Sequence, residues 1–111
     1  MEDLSYFVTL DMTDCQDLIF KAVTDSVTGT LIGAHTVAST DGSSCTVDVY
    51  EKHYYRAGNR LTLTVILDDF TGQTRVRCIS GGGGEGLFRL DWGAAESFED
   101  VVHQALAPYR I

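Results

Sequence analysis

From Gly29 the hydrophobic period of this chain is two, and it stays two for about fifty residues, a pattern that no helix can bury. Turn chemistry divides the stretch into strands. Thr30 to Ser39 reads as one strand, and Asp41-Gly42 is a hairpin signal, because both central residues of a type I′ turn need positive φ. Cys45 to Arg56 follows. Its alternation sets Cys45, Val47, Val49, Glu51, His53 and Tyr55 against Thr46, Asp48, Tyr50, Lys52, Tyr54 and Arg56, and the two valines assign the first set to the core. Ala57-Gly58-Asn59 closes the next hairpin. Arg60 to Asp68 directs Leu61, Leu63, Val65 and Leu67 inward, and Thr71-Gly72-Gln73 turns into Thr74 to Ser80, with Val76 and Cys78 inward and Arg75, Arg77 and Ile79 outward.

One helix is expected on each side of this meander. Leu4, Tyr6, Val8 and Leu10 alternate as a first strand, which ends near Met12. Thr13 and Gln16 then have capping-box spacing, and Cys15, Leu18, Ile19, Ala22 and Val23 mark an amphipathic helix from Asp14 to Val27, with Gly29 as its C′ residue. Phe98, Val101, Val102, Ala105 and Leu106 form the stripe of a second helix. Glu96, Glu99 and Asp100 suit its N-terminal end, and Pro108 stops it. Between strand and helix, Gly81, Gly82, Gly83, Gly84 and Gly86 break the ladder. Leu87 to Trp92 is a sixth short strand or an extended edge segment.

The expected fold is therefore α+β: one domain over residues 1–111, with a single antiparallel sheet in β-α-β4(5)-α order and both helices on one face. The other face is left open. The expected core is Cys15, Leu18, Ile19, Val23, Val47, Val49, Leu61, Leu63, Val65, Val76, Phe98, Val102 and Leu106.

Charge narrows the partners. With 16 Asp and Glu against 8 Lys and Arg, the net charge is -8, which repels phosphate backbones and anionic lipid. Nucleic acid and membrane are not expected as partners. The first residues lack a basic, then apolar, signal-peptide pattern, and no apolar run is long enough to span a bilayer, so a cytoplasmic location is expected. Cys15, Cys45 and Cys78 are odd in number and widely spaced, as reduced thiols are.

Two resemblances bear on the fold. The element order resembles that of the TATA-box-binding-protein-like folds, but the acidic charge argues against DNA. The runs VDVYEKHYYRAGNRLTLTVIL (residues 47–67) and ISGGGGEGLFRLDWGAAESFEDVV (residues 79–102) resemble a family of short bacterial proteins known only as a domain of unknown function. That resemblance implies no activity, cofactor or catalytic residue.

Each possible site has an ordinary reading beside it. A phosphate-binding loop needs Lys and Ser/Thr after its glycines, whereas Glu85, Leu87 and Phe88 follow here, so a mobile hairpin or a bulged edge passing close to another backbone fits better. Cys78 with His35 or His53 as base would make a nucleophile, but Cys45 and Cys78 read as inert core thiols. His35, His53 and His103 are too far apart in sequence for a metal-ligand motif, and Asp68-Asp69 and Glu99-Asp100 border a turn and a helix start. Neither a catalytic residue nor a cofactor is expected. The remaining feature is the open sheet face, expected to carry Tyr50, Tyr54, Ile66, Arg77 and Ile79, with Phe7, Thr62 and Thr64 among them. Such a face is more apolar than a solvated sheet needs, although cross-strand pairs on a wet sheet would look similar. The leading expectation is a non-enzymatic interaction module, homodimeric through this face or a strand edge, with the glycines shaping one rim. A small-molecule carrier with a cavity between sheet and helices, and a thiol-dependent enzyme, are the alternatives.

Overall fold

The computed structural model describes residues 4–26, 28–54, 59–82 and 98–111. Five strands make one antiparallel sheet: β1 (Tyr6–Val8), β2 (Thr30–Ala38), β3 (Ser44–Tyr54), β4 (Asn59–Asp68) and β5 (Thr74–Gly82), in the spatial order β1-β5-β4-β3-β2. Helix α1 is Met12–Ser26, and helix α2 is described over 98–106. Cys15, Ile19 and Val23 of α1 and Phe98, Val102 and Leu106 of α2 share one core with Leu61, Leu63, Val65, Leu67, Val76 and Cys78. Both helices therefore cover the same face, and the fold is α+β as the changes of period predict.

The helix boundaries have different chemistry from that expected. Asp11, not Thr13, caps α1, its Oδ1 accepting the Asp14 N–H at 2.8 Å. Gln16 is thereby free to reach the sheet, where its Nε2 donates to Asp48 Oδ2 at 2.9 Å. Past α1 the left-handed residue is Thr28 (φ 54), while Gly29 is there for space: a Cβ on it would lie 2.6 Å from Val23 Cγ1 and 3.3 Å from the Phe98 ring. At Asp41-Gly42 only Gly42 has positive φ (92°), so the hairpin is a three-residue loop with a glycine bulge instead of a type I′ turn. Gly72 repeats this geometry in the β4–β5 loop (φ 93). The two turns are tied together, since Ser44 N–H donates to Asp69 Oδ1 at 2.8 Å.

The main correction concerns β3. Thr46, Asp48 and Tyr50 point into the core side, and Cys45, Val47 and Val49 point to the uncovered face, the reverse of the expectation. Register explains it: Tyr50 pairs with Leu63, a core residue, and Val47 with Ile66, which alternates with the core set. Burying one tyrosine ring removes more apolar surface from water than burying two valines already shielded by neighbouring strands. Asp48 follows Tyr50 inward because Gln16 is there to bond it. Leu18 packs against the core only partly buried, and Tyr6, Val8, Tyr50, Leu67 and Cys78 join the core beyond the expected set.

The two sheet edges differ. Beside β1, the C-terminal segment closes the edge: Thr9 N–H donates to Tyr109 O (2.8 Å), Ile111 N–H donates to Phe7 O (3.1 Å), and a 3-10 turn at Ala107–Tyr109 carries Pro108, which ends α2. Beside β2, no strand is paired among the described residues.

Candidate functional site

The uncovered face is built by cross-strand neighbours. Val37 lies opposite Cys45, Val47 opposite Ile66 and Ile66 opposite Arg77, while Val49, Thr64 and Ile79 form the next row. Val47, Val49, Ile66 and Ile79 thus share this face across three strands, interleaved with Thr64 and Arg77; Ile79 is 49% exposed and the other three are half-buried. The polar rim is paired: Arg75 Nε contacts Asp68 Oδ2 at 2.9 Å, and Arg60 Nη1 lies 3.8 Å from Glu51 Oε1. Arg77 differs, because its Nη1 is buried without a hydrogen-bond acceptor among the described residues.

Of the residues expected on this face, Ile66, Arg77 and Ile79 are there. Tyr50 is not: it is fully buried against the helices, and burial first, then the Asp48 carboxylate, pushes its phenol pKa up. Tyr54 belongs to the end of β3, but its side chain lies outside the described residues. In the glycine rim, Gly81 and Gly82 do not break the ladder but extend it, pairing with Thr62 and Leu61. Gly82 (φ 108) passes so close to β4 that a Cβ would stand 2.3 Å from Arg60 O, the close approach to another backbone that the glycine-rich stretch allows. Gly83, Gly84 and Gly86, the Ala57-Gly58 turn and the question of a sixth strand over 87–92 lie outside the described residues.

A second polar constellation is absent from the sequence reading. Tyr6 Oη and His103 Nδ1 share a hydrogen bond of 2.6 Å, His103 Nε2 lies 3.0 Å from Glu99 Oε1, and Ser80 Oγ donates to Glu99 Oε2 at 2.9 Å. The Arg110 guanidinium stacks 4.2 Å above the Tyr6 ring. Ser80 reaches the carboxylate and not the imidazole, so no activated serine results, and Tyr6 is buried. The constellation ties β1, β5, α2 and the C-terminal segment together. The i, i+4 spacing of Glu99 and His103 beside the Phe98–Val102 stripe was the only available sign of it.

The thiols are disposed against chemistry. Burial, followed by nearby acidic groups, pushes Cys15 and Cys78 up to about 12, so both are protonated at neutral pH. Cys45 is half-buried on the uncovered face, not in the core. Among the described residues no three His, Cys, Asp or Glu side chains are grouped to hold a metal. A cleft of about 400 Å³ lies between the β1–α1 link, the β4–β5 turn and Ile111, at the end of the sheet and not between sheet and helices.

Among the described residues, one open sheet face, one closed edge and a helix-covered core define a small α+β domain. The chain belongs to the family described as a family of unknown function (DUF6054), which matches residues 1–110. No curated protein and no solved structure matches it. Among the described residues no helix is long and apolar enough to cross a membrane.

Proposed function

We propose that the protein is a non-enzymatic interaction module that self-associates through its uncovered sheet surface. The observation that carries this reading is the set of Val47, Val49, Ile66 and Ile79 on a face with no helix against it among the described residues, where β3 contributes its valines instead of the expected Tyr50. A thiol-dependent reaction is disfavoured by two cysteines held protonated. The three free thiols also support a reducing, cytoplasmic setting. Light scattering of the wild type against Ile66→Lys tests the reading: a dimer that becomes a folded monomer supports it, and a wild type that is monomeric at high micromolar concentration refutes it.

A further inference from the structure

The exposed edge of the sheet has the features that natural proteins normally remove from such edges. β2 is nine residues long, and every one of them from Ile32 to Ala38 is exposed. Edge strands are commonly protected by Lys, Pro, inward charges or a covering segment. β2 has no Lys, Arg, Asp, Glu or Pro, and its single protective device is the irregularity in pairing between Leu31 and Gly33. The opposite edge is closed by the C-terminal segment. Among the described residues one edge is therefore shielded and the longer one is not.

Charge indicates what can occupy it. Two copies of a chain of net charge -8 repel wherever carboxylates face each other, but residues 26–40 form a stretch of fifteen without a charged side chain, with β2 inside it. Its borders are apolar: Ile32 and Val37 are each more than half exposed, and Phe20 (45% exposed) lies one turn beyond Gln16, on the α1 flank that reaches over β3. A two-fold axis across β2 would bring these together without placing one acid against another.

We infer that two copies of the chain pair β2 to β2 in antiparallel fashion over residues 33–38, joining their sheets into one of ten strands. This rests on the reading that the protein self-associates, and it names the registered contact: main-chain hydrogen bonds fix orientation, and the uncovered faces become one continuous surface. Six paired residues span roughly 20 Å and a sheet layer is roughly 10 Å thick, so the ladder covers roughly 200 Å² of each partner. Stable dimers bury about 800 Å² per partner. Phe20, Ile32 and Val37 supply part of the difference, and the dimer is a reversible one that forms in the micromolar range.

Hydrogen exchange of the full chain, read residue by residue at about 10 µM and about 1 mM, tests the pairing. Alternate amides within 33–38 should exchange at least tenfold more slowly at the higher concentration as the mass doubles. The companion variant is Ala34→Lys/Ala38→Lys: both alanines are exposed and lie on the helix side of β2, away from Ile66, so the lysines should abolish the dimer and leave the melting profile unchanged. If Ile66→Lys dissociates the dimer while β2 amides show no protection at either concentration, the edge inference falls and the face reading stands. If the alanine variant dissociates it and Ile66→Lys does not, the edge pairing stands and the face reading falls. A monomeric wild type at both concentrations overturns both.

Discussion

Val47 and Ile66 face each other across β3 and β4 on the side of the sheet that no helix covers among the described residues, while Tyr50 and Leu63, three positions along the same ladder, face each other inside the core. This fixes the sheet's two sides and gives a direct contrast in stability. Leu63→Ala deletes a fully buried side chain and should cost about 2–5 kcal/mol. Val47→Ala should cost about 1 kcal/mol or less. Urea unfolding of the two variants measures it, and similar losses would mean the faces are assigned wrongly.

Gly29 and Gly33 separate a glycine needed for space from one that is not. An added methyl at Gly29 meets Val23 and Phe98 in the core, so Gly29→Ala should destabilise by about 1–3 kcal/mol. At Gly33 nothing lies within 4 Å, and Gly33→Ala should be neutral or stabilise by about 0.5 kcal/mol through the unfolded chain. Thermal melts of both variants decide it.

The fold was legible because the strongest signals are periodic ones. Leu61 to Leu67 and the Phe98–Leu106 stripe each repeat one period without conflict, and each element is where its pattern puts it. β3 was not legible, because Val47 and Val49 compete with Tyr50 for the core, and the contest is settled by Gln16 bonding Asp48 from 32 residues away. The candidate surface inherits that ambiguity: Ile66, Arg77 and Ile79 come from strands with clear alternation, while Tyr50 comes from the ambiguous one. Caps were misread for a similar reason. Asp11 and Thr13 both precede the helical stripe, and only the backbone geometry selects the aspartate.

Tyr6 and His103 join the first strand to the last helix across 97 residues of sequence. Tyr6→Phe removes the hydroxyl and with it the hydrogen bond to Nδ1 of a half-buried ring, a loss of about 1–2 kcal/mol. His103→Phe should cost a comparable amount, and the double variant should fall short of the sum, because both substitutions break one bond. Additive losses in urea unfolding would show that the two residues act independently.

Buried thiols and phenols make stability fall in alkali. Cys15 and Cys78 have folded pKa values raised from 9.0 to about 12, and Tyr6 is also raised, chiefly by burial. Above pH 9 the unfolded chain loses these protons while the folded chain keeps them, so stability is full below that pH and declines as pH rises toward 12. Melts from pH 7 to 11 should show the decline beginning near pH 9. With a thiol reagent at pH 8, Cys45 should react in the folded protein and the other two only in denaturant; rapid labelling of Cys78 would contradict the burial described here.

Self-association is the central claim, and Ile66 is the residue that tests it most directly. A two-fold contact through the uncovered face makes every substitution there act twice, so Ile66→Lys places two ammonium groups in one desolvated patch, whereas in a monomer the lysine simply extends into water. The mass of the wild type by light scattering at high micromolar concentration, beside Ile66→Lys with a thermal melt as control, is the decisive measurement. A wild type near twice the chain mass and a folded variant near the chain mass are expected; a wild type at the chain mass contradicts the claim.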